Sequence, residues 1–345
     1  MAVTMKDIAR DLRVSVVTVS KVIRNNPDIS EATRQRVLKR IRELNYHPNL
    51  AARALVTGKS NSIGLIVPDL VHPFFTELAE GLSNALRGKH YGVLISSSME
   101  DLRLERQDIE IMLSRGVDAI IIASTQNTVE SFRRIEERRT PYVLIDRQFA
   151  GLVANFVGID DVAAGRLATQ HLVEVGCRRI AHIRGPEIST AIRRWEGYNQ
   201  ALAAAHLESF PGYVVQAKTG DVEAPRRGTE AMRKLLGLNP LPDGVFCYND
   251  PVAIGAIDAI LEAGLRVPED VAVIGCGNLH YDDWLRVPLS SVDQRSATIG
   301  ARAARLAVAL IESANYVKPR SVLVNVEVVA RASTQRKPAG EMAQS

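Results

Sequence analysis

A short run of apolar, hydroxyl-bearing and basic side chains near the N-terminus has the types and spacing that contact DNA. The segment SVVTVSKVI spans residues 15–23, and Ser15 is its predicted helix cap. Val16 and Val17 open this helix, where an exposed face is expected to be polar. At the start of a DNA-reading helix, such side chains can contact thymine methyl groups. The alternative is that both valines belong to a core.

The first 46 residues predict three short helices. Thr4 with Asp7 resembles a capping box, Ser15 caps the second helix, and Ser30 caps a third that runs to Asn45. The connection LRVS has the length found in helix-turn-helix units, whose second helix begins in the major groove. A core face is already supplied by Ile8, Leu12, Val19, Val22 and Ile23. Val16 and Val17 are therefore expected to be at least partly exposed.

The positive charge is concentrated in this N-terminal region. Residues 1–59 contain 12 Lys and Arg against 5 Asp and Glu, whereas the whole 345-residue chain has a net charge of only +4. A basic module on a mildly acidic body favours binding to a polyanion, although a solvated helical face gives similar counts. The chain lacks a membrane-length apolar run and a secretory signal, so we expect a cytoplasmic protein, associated with the nucleoid. Cys177, Cys247 and Cys276 are too widely spaced to suggest a disulfide framework or a metal site.

From Ser62 onward, apolar runs alternate with helix-length amphipathic segments. The first series is SIGLIV, GVLISSS, DAIIIAS and YVLIDR, and the second is RIAHIRG, YVVQAK, GVFCYND and VAVIGCG. Continuous Val and Ile runs between helices predict parallel strands covered on both faces. The fold class is therefore α/β, with a helix-turn-helix domain followed by two doubly wound parallel-sheet lobes. A ligand is expected in the cleft at the carboxyl ends of the strands.

Two aromatic residues follow the first predicted strand. Phe74 and Phe75 lie in PDLVHPFF, just beyond the carboxyl end of SIGLIV. There they can stack on a sugar ring, or else pack into the core of the lobe. Two nucleotide-binding motifs are incomplete: Arg53 replaces the first glycine before TGKS, and His280 replaces the third glycine in GCGNLH. No catalytic arrangement is recognisable, so we expect neither an enzyme nor a bound cofactor or metal.

The chain resembles the lactose/galactose repressor family of transcriptional regulators along nearly its whole length. The resemblance rests on VSxxTVS, TRxRV and YxPNxxAR in the expected order, on the lobe series, and on VEVVARAST near residue 334. It implies a helix-turn-helix domain over 1–46, a hinge helix within a linker over 47–60, and an effector-binding core over 61–334 resembling periplasmic binding proteins. It divides the core into lobe 1, about 61–158 plus 292–322, and lobe 2, about 159–291 plus 323–334. A polar tail, 335–345, follows.

The resemblance also implies a dimer that reads a pseudo-palindromic operator. It assigns contacts with the bases to Val16, Val17 and Lys21, and it matches Leu55 to the apolar wedge that enters the minor groove. Alternatively, Leu55 packs under its own domain. The remaining expected contacts, mostly to the DNA backbone, are Thr4, Ser15, Thr18, Ser20, Arg24, Thr33, Asn49 and Arg53. Many relatives have glycine in the turn at Arg13, so a positive φ is expected there. The C-terminal tail lacks leucine heptads, which leaves a dimer as the expected assembly.

In the cleft, the resemblance assigns ligand contacts to two aromatic and five polar residues: Phe74, Phe75, Asp146, Arg147, Arg194, Asn249 and Gln294. A carboxylate, two guanidinium groups and two amides suit a polyhydroxylated ligand. The alternative for Asp146, Arg147 and Arg194 is a set of buried structural ion pairs. Many relatives have Asp in place of Gly277, and some have an aromatic residue in place of Val222. The expected effector is therefore a sugar, a sugar acid or a sugar phosphate, acting either as an inducer or as a corepressor.

Two rival functions follow from the same residues. A sugar-binding protein with only the two lobes is disfavoured by the basic module and the missing signal sequence. An NAD-linked or phosphate-handling enzyme is disfavoured by the broken glycine motifs. The sequence therefore predicts a DNA-binding regulator, most readily a repressor, that responds to a small molecule.

Overall fold

The computed structural model describes residues 3–23, 25–46, 58–126, 129–149, 151–217, 223–313, 315 and 317–336. The chain divides into two compact units, 1–60 and 61–345.

The N-terminal unit contains three helices, α1 (Met5–Leu12), α2 (Val16–Ile23) and α3 (Glu31–Glu43). The capping box at α1 is confirmed: Asp7 N donates to Thr4 Oγ1, and Thr4 N donates to Asp7 Oδ2 at 3.0 Å. Ser15 and Ser30 cap the other two helices as predicted. The third helix ends at Glu43, two residues before the predicted end. A small core is formed by Ile8, Ala9, Val19, Val22, Val37 and Tyr46.

The turn between α1 and α2 is closed by a residue in the left-handed region. Arg13 has φ 51° and ψ 44°, and its N–H donates to the last carbonyls of α1. The expected positive φ at this position is therefore confirmed. A side chain other than glycine in this conformation costs on the order of 1 kcal/mol. The turn thus keeps the helix-turn-helix geometry without glycine.

The first lobe is a six-stranded parallel sheet with helices on both faces, in the order β11-β5-β4-β3-β1-β2. Its strands are β1 (Ser62–Val67), β2 (Gly92–Ser97), β3 (Ala119–Ile122), β4 (Tyr142–Ile145), β5 (Asn155–Ile159) and β11 (Ser321–Val324). Its helices are α4 (Pro73–Leu86), α5 (Leu102–Ser114), α6 (Glu130–Glu137) and α11 (Ser296–Glu312). The interior strands β1, β3, β4 and β5 are mostly apolar and almost entirely buried, as expected where helices cover both faces of a sheet. The doubly wound prediction is confirmed for this lobe.

The second lobe repeats the arrangement, with strand order β12-β10-β9-β8-β6-β7. Its strands are β6 (Ile180–Arg184), β7 (Val214–Gln216), β8 (Gly244–Cys247), β9 (Ala272–Gly277), β10 (Ser290–Asp293) and β12 (Glu327–Val329). Its helices are α7 (Asp161–Glu174), α8 (Ser189–Ala204), α9 (Ala224–Leu236) and α10 (Asp250–Glu262). Only the edge pair β10 and β12 is antiparallel among the described strands. All three cysteines are buried, and none forms a disulfide bond.

The chain passes between the lobes after β5, after β10 and after β11. The boundaries expected at 158/159, 291/292 and 322/323 fall inside β5, β10 and β11. Because a strand stays in its sheet to its last residue, these passages lie at 160, 294–295 and 325–326. The carboxyl ends of the strands of both lobes therefore converge around Gln294.

Candidate functional sites

The start of α2 presents apolar side chains to solvent. Val17 is 62% exposed and Val16 38% exposed, whereas Val19 and Val22 are buried in the three-helix core. The alternative assignment of Val16 and Val17 to the core is therefore wrong. Exposed valines on a short helix gain nothing from solvent, so this surface is suited to an apolar contact with another molecule.

The hydroxyl groups around α2 serve first as helix caps. Thr18 N donates to Ser15 Oγ at 3.0 Å, and the two hydroxyl oxygens lie 2.8 Å apart. Thr4 Oγ1 donates to Asp7 Oδ2 at 2.7 Å, and Ser30 Oγ donates to Thr33 Oγ1 at 3.0 Å. These hydroxyls are exposed, and their second hydrogen-bonding position can still reach a phosphate. Arg24, Asn49, Arg53 and Leu55 lie outside the described residues.

Lys21 forms an ion pair that the sequence did not indicate. Its Nζ lies 3.4 Å from Asp28 Oδ2, with the two side chains 36% and 67% exposed. Asp28 follows α2 in a loop that is held by Arg34, whose guanidinium donates to Asn25 Oδ1 and to the Asn26 carbonyl oxygen. The predicted base-reading cation thus has a carboxylate beside it.

The seven residues predicted to contact a ligand line one cavity between the two lobes. Asp146 and Arg147 follow β4, Arg194 comes from α8, and Asn249 follows β8. His72 and Tyr248, which were not predicted, complete the lining. The cavity measures about 20 Å³, room for one water molecule. A sugar-sized ligand therefore requires the lobes or the lining side chains to separate.

Phe74 and Phe75 have both of the roles considered for them. Each is buried in the core of the first lobe, and their rings meet edge to face at 5.0 Å between centroids. Both also line the cavity. The core therefore fixes the position of the aromatic surface offered to a ligand.

Arg194 is a buried hub that joins three elements. Its Nε donates to Asp161 Oδ1 at 2.9 Å, Nη1 to the Tyr248 carbonyl oxygen at 2.8 Å, and Nη2 to Gln294 Oε1 at 3.0 Å. Burial raises the pKa of Asp161 to about 7, aided by the nearby charge of Asp146 and opposed by Arg194. Arg194 therefore forms the buried ion pair that was considered as its alternative role, and it also lines the cavity. Asp161 was missed because only the folded chain brings it to Arg194.

Asp146 and Arg147 are also ion-paired. Arg147 Nη2 lies 3.2 Å from Glu100 Oε1, and Arg147 Nε lies 3.7 Å from Asp146 Oδ2. Asp146 has φ 61°, a conformation that is uncommon for a residue with a side chain. Such local strain is often found where a fold holds a functional group in place.

His72 brings an imidazole into the cavity wall. Its Nδ1 accepts from Phe74 N at 3.1 Å, which caps α4, and a neutral ring then carries its proton on Nε2. That Nε2 lies 3.4 Å from Asn249 Nδ2, while Asn249 Oδ1 accepts from Val252 N at 3.0 Å. Two N–H donors therefore face each other, and an oxygen atom of a ligand could accept from both. The sequence signal for His72 was its place before Pro73, a common N-cap position.

A buried pair of carboxyl groups lies beside Gly277. Asp250 Oδ1 accepts from Ser291 Oγ at 2.6 Å, and both Asp250 and Asp282 accept from Leu279 N. Burial, with the neighbouring charge of Asp250, raises the pKa of Asp282 to about 9. Asp282 is therefore protonated at neutral pH and can donate to Asp250. The Asp250 carboxylate overlaps the position that a Cβ at residue 277 would take.

The described residues include no group of three or more His, Cys, Asp or Glu placed to hold a metal ion. Among the same residues, no helix has both the length and the apolar character needed to cross a membrane.

Comparison with known proteins places this geometry in a family. Residues 4–49 match the family described as bacterial regulatory proteins, lacI family, and residues 169–334 match the periplasmic binding protein-like domain. The chain is 33% identical to the ribose operon repressor of Halalkalibacterium halodurans, over 90% of each chain. It is 32% identical to the HTH-type transcriptional repressor PurR of Pasteurella multocida, over 97% of this chain and 99% of that protein.

A solved structure agrees with these relatives. A complex of the transcriptional regulator CelR with cellobiose superposes with a TM-score of 0.73 at 28% identity, covering 96% of this chain and 99% of that one. The helix-turn-helix unit, the two lobes and the cleft between them are thus common to this chain and its relatives. The chain belongs to the lacI family of bacterial regulatory proteins.

Proposed function

We propose that this protein is a transcriptional repressor whose affinity for its operator is set by a small molecule bound between the lobes. One observation carries the proposal: the same chain has a helix with exposed valines at its start and, between its two lobes, a cavity lined by all seven predicted contact residues. Neither feature alone separates a regulator from a simple binding protein, but the pair does.

In the DNA-bound state, α2 lies in the major groove. Val16 and Val17 meet thymine methyl groups, and Lys21 donates to guanine acceptors. Backbone contacts come from the N-terminal residues expected above, namely Thr4, Ser15, Thr18, Ser20, Arg24 and Thr33. The linker residues Asn49 and Arg53 bind phosphates, and Leu55 enters the minor groove. Because most of this attraction is electrostatic, operator affinity falls steeply with salt.

The effector is a carbohydrate or a carbohydrate derivative. The cavity wall combines ring faces from Phe74 and Phe75 with fixed donors from His72 and Asn249 and a carboxylate from Asp146. Alternating donors and acceptors around an aromatic surface suit the hydroxyl groups of a sugar, a sugar acid or a sugar phosphate. The relatives named above are a ribose operon repressor, a PurR repressor and a regulator bound to cellobiose. These proteins have different names although their sequence identities to this chain are similar, so identity does not point to one compound. We therefore propose only the class of effector, a carbohydrate or a carbohydrate derivative.

The active form is a homodimer on a pseudo-palindromic operator. Large apolar side chains are exposed along the free edge strand β2 and beside it, among them Val71, Ile95, Met99 and Ile111, and Trp284 of the second lobe is 86% exposed. Exposed large apolar side chains of this kind support a contact with another protein chain. Two copies joined along their flanks would present two reading helices to two half-sites.

Regulation follows from the cleft. A ligand that holds the lobes in one arrangement changes how the two hinge segments meet and so changes operator affinity. By linkage, the operator must change ligand affinity by the same factor. A protein with this activity works on the bacterial nucleoid, in the cytoplasm.

The experiment that tests the proposal is a selection of genomic fragments by the purified full-length protein, with and without a panel of sugars, sugar acids and sugar phosphates. We expect enrichment of a palindromic site with a flexible central step, and we expect one compound class to change that enrichment. Salt-sensitive binding without sequence preference would instead make the N-terminal unit a basic anchor. Sequence preference that no ligand alters would leave the cleft without a regulatory role.

A further inference from the structure

Asp28 stands beside the lysine that the proposed function assigns to base reading. Lys21 follows Val17 by four residues, so both side chains lie on the same face of α2. The ammonium of Lys21 lies 3.4 Å from the Asp28 carboxylate. Whatever base pair Lys21 reaches is therefore also within reach of a carboxylate.

The position of Asp28 is fixed by its loop. Asp28 N donates to Asn26 Oδ1 at 2.9 Å, and Asn25 has φ 53°. Arg34 of α3, only 14% exposed, donates to Asn25 Oδ1 at 2.6 Å and to the Asn26 carbonyl oxygen at 2.7 Å. The loop is thus tied to the core of the unit, and the carboxylate is presented by the fold and not by a mobile side chain alone.

A lysine alone reads DNA ambiguously. Its ammonium is a compact donor on a flexible stem, so it can reach guanine N7 and O6 on either strand. A carboxylate has the opposite requirement, since it accepts from the cytosine N4 amine and is repelled by guanine acceptors. Guanine O6 and cytosine N4 are joined by a Watson–Crick hydrogen bond, so they lie about 3 Å apart. That spacing matches the separation of the two charged groups in the protein.

We infer that Lys21 and Asp28 read one guanine–cytosine pair together. Lys21 donates to guanine, Asp28 accepts from cytosine N4, and their order fixes which strand carries the guanine. This inference rests on the proposed function, in that it takes α2 to be the helix in the major groove. It adds a residue that sets sequence specificity through a carboxylate. An exposed ion pair of this kind is weak, so each group can hydrogen-bond to its base edge while the two stay at about their present separation.

The test compares operators that differ only at this pair. After the wild-type operator has been selected, its guanine–cytosine pair is inverted in both half-sites, and the full-length protein is titrated against both DNAs by fluorescence anisotropy. Wild type should prefer the selected orientation by about tenfold or more. Asp28→Ala should lose most of that preference, because Lys21 alone can donate to guanine in either orientation of the base pair.

Two further variants separate hydrogen bonding from charge. Asp28→Asn retains an acceptor oxygen but removes the negative charge, so it should keep part of the orientation preference and bind both DNAs more tightly. Asp11→Asn changes the net charge of the unit equally, but its partner is Arg40 on a different surface, so the preference should remain intact. Thermal melting of each variant checks that the helical unit is folded.

The outcomes are distinct. If Asp28→Ala changes affinity for both orientations equally, Asp28 merely screens Lys21 and the inference is overturned. If the wild-type protein selects no sequence at all, the proposed function fails and the inference fails with it. A selected operator whose preference collapses in Asp28→Ala but not in Asp11→Asn supports the joint reading.

Discussion

The carboxylate of Asp250 occupies the space into which a side chain at Gly277 would project. Asp250 is buried and is held there by Ser291 Oγ and by Leu279 N. Glycine at position 277 is thus required by packing in this chain. A side chain at 277 can be accommodated only if the Asp250 carboxylate moves.

Gly277→Ala should destabilise the protein by about 1–3 kcal/mol, because the added methyl group forces the buried carboxylate to move. Urea denaturation at neutral pH measures the change in the free energy of unfolding. Gly237→Ala is the matched control, since Gly237 has ordinary helical dihedral angles and a Cβ there meets nothing closer than 3.5 Å. Equal stability of the Gly277 variant and the wild type would contradict the packing argument.

Asp282→Asn should raise the free energy of unfolding by an amount that grows as the pH rises. The folded-state pKa of Asp282 is about 9, well above its ordinary 3.8. A carboxyl group whose pKa is raised on folding stabilises the folded state fully only at pH values below its unfolded pKa. As the pH rises from there toward 9, its contribution to the free energy of unfolding is lost at about 1.4 kcal/mol per pH unit. Asparagine can still donate to Asp250 but does not titrate. Urea denaturation at several pH values between 5 and 9 should therefore show a widening advantage for the variant.

Asp283→Asn provides the contrast for that measurement. Asp283 is exposed, and its hydrogen bond with Arg331 lowers its pKa, so it is ionised throughout this range in both folded and unfolded chains. Its substitution should shift stability by a constant amount from pH 6 to 9. A parallel pH dependence of the two variants would mean that the buried pair is not the group that titrates.

His72→Asn should weaken effector binding while leaving stability nearly unchanged. Asparagine is a favoured N-cap, so it can replace Nδ1 as the acceptor for Phe74 N, but it removes the imidazole donor from the cavity wall. His72→Ala loses both functions and should also destabilise by about 1 kcal/mol. Thermal shift with the effector class found by selection, together with urea denaturation, separates the two effects. Undiminished affinity in His72→Asn would remove His72 from the effector site.

How far the sequence predicts the structure depends on whether a feature is local or made by distant contacts. Thr4, Ser15 and Ser30 were predicted as caps because a cap is specified within four residues. The cleft residues were found because the carboxyl ends of parallel strands must converge. Asp161, Asp282 and Asp28 were missed because each acquires its role from a partner brought near by the fold. Lobe boundaries were misplaced by one or two residues because apolar patterning does not mark the last residue of a strand.

Val17→Gln should change base preference and not merely affinity. Val17 is the more exposed of the two valines at the start of α2, and an amide there can donate to and accept from adenine where a methyl contact with thymine existed. A selection from randomised operators measures the preference directly. Val153→Gln, on an exposed valine of the first lobe, controls for the added amide. The same consensus for Val17→Gln and wild type would show that Val17 does not face the bases.

Leu55→Ala should weaken operator binding strongly and leave effector binding intact. An apolar wedge that unstacks a central base step bends the DNA, and the bent DNA makes further contacts with the protein. The methyl group of alanine is too small to act as this wedge. Affinity for the operator is measured by titration at fixed salt, since salt alone changes it by orders of magnitude. Effector binding to the same preparation, measured by calorimetry without DNA, reports whether the lobes are intact. Equal operator affinity in the variant would mean that Leu55 packs within its own domain, and the hinge segment would then contribute to binding through Asn49 and Arg53 alone.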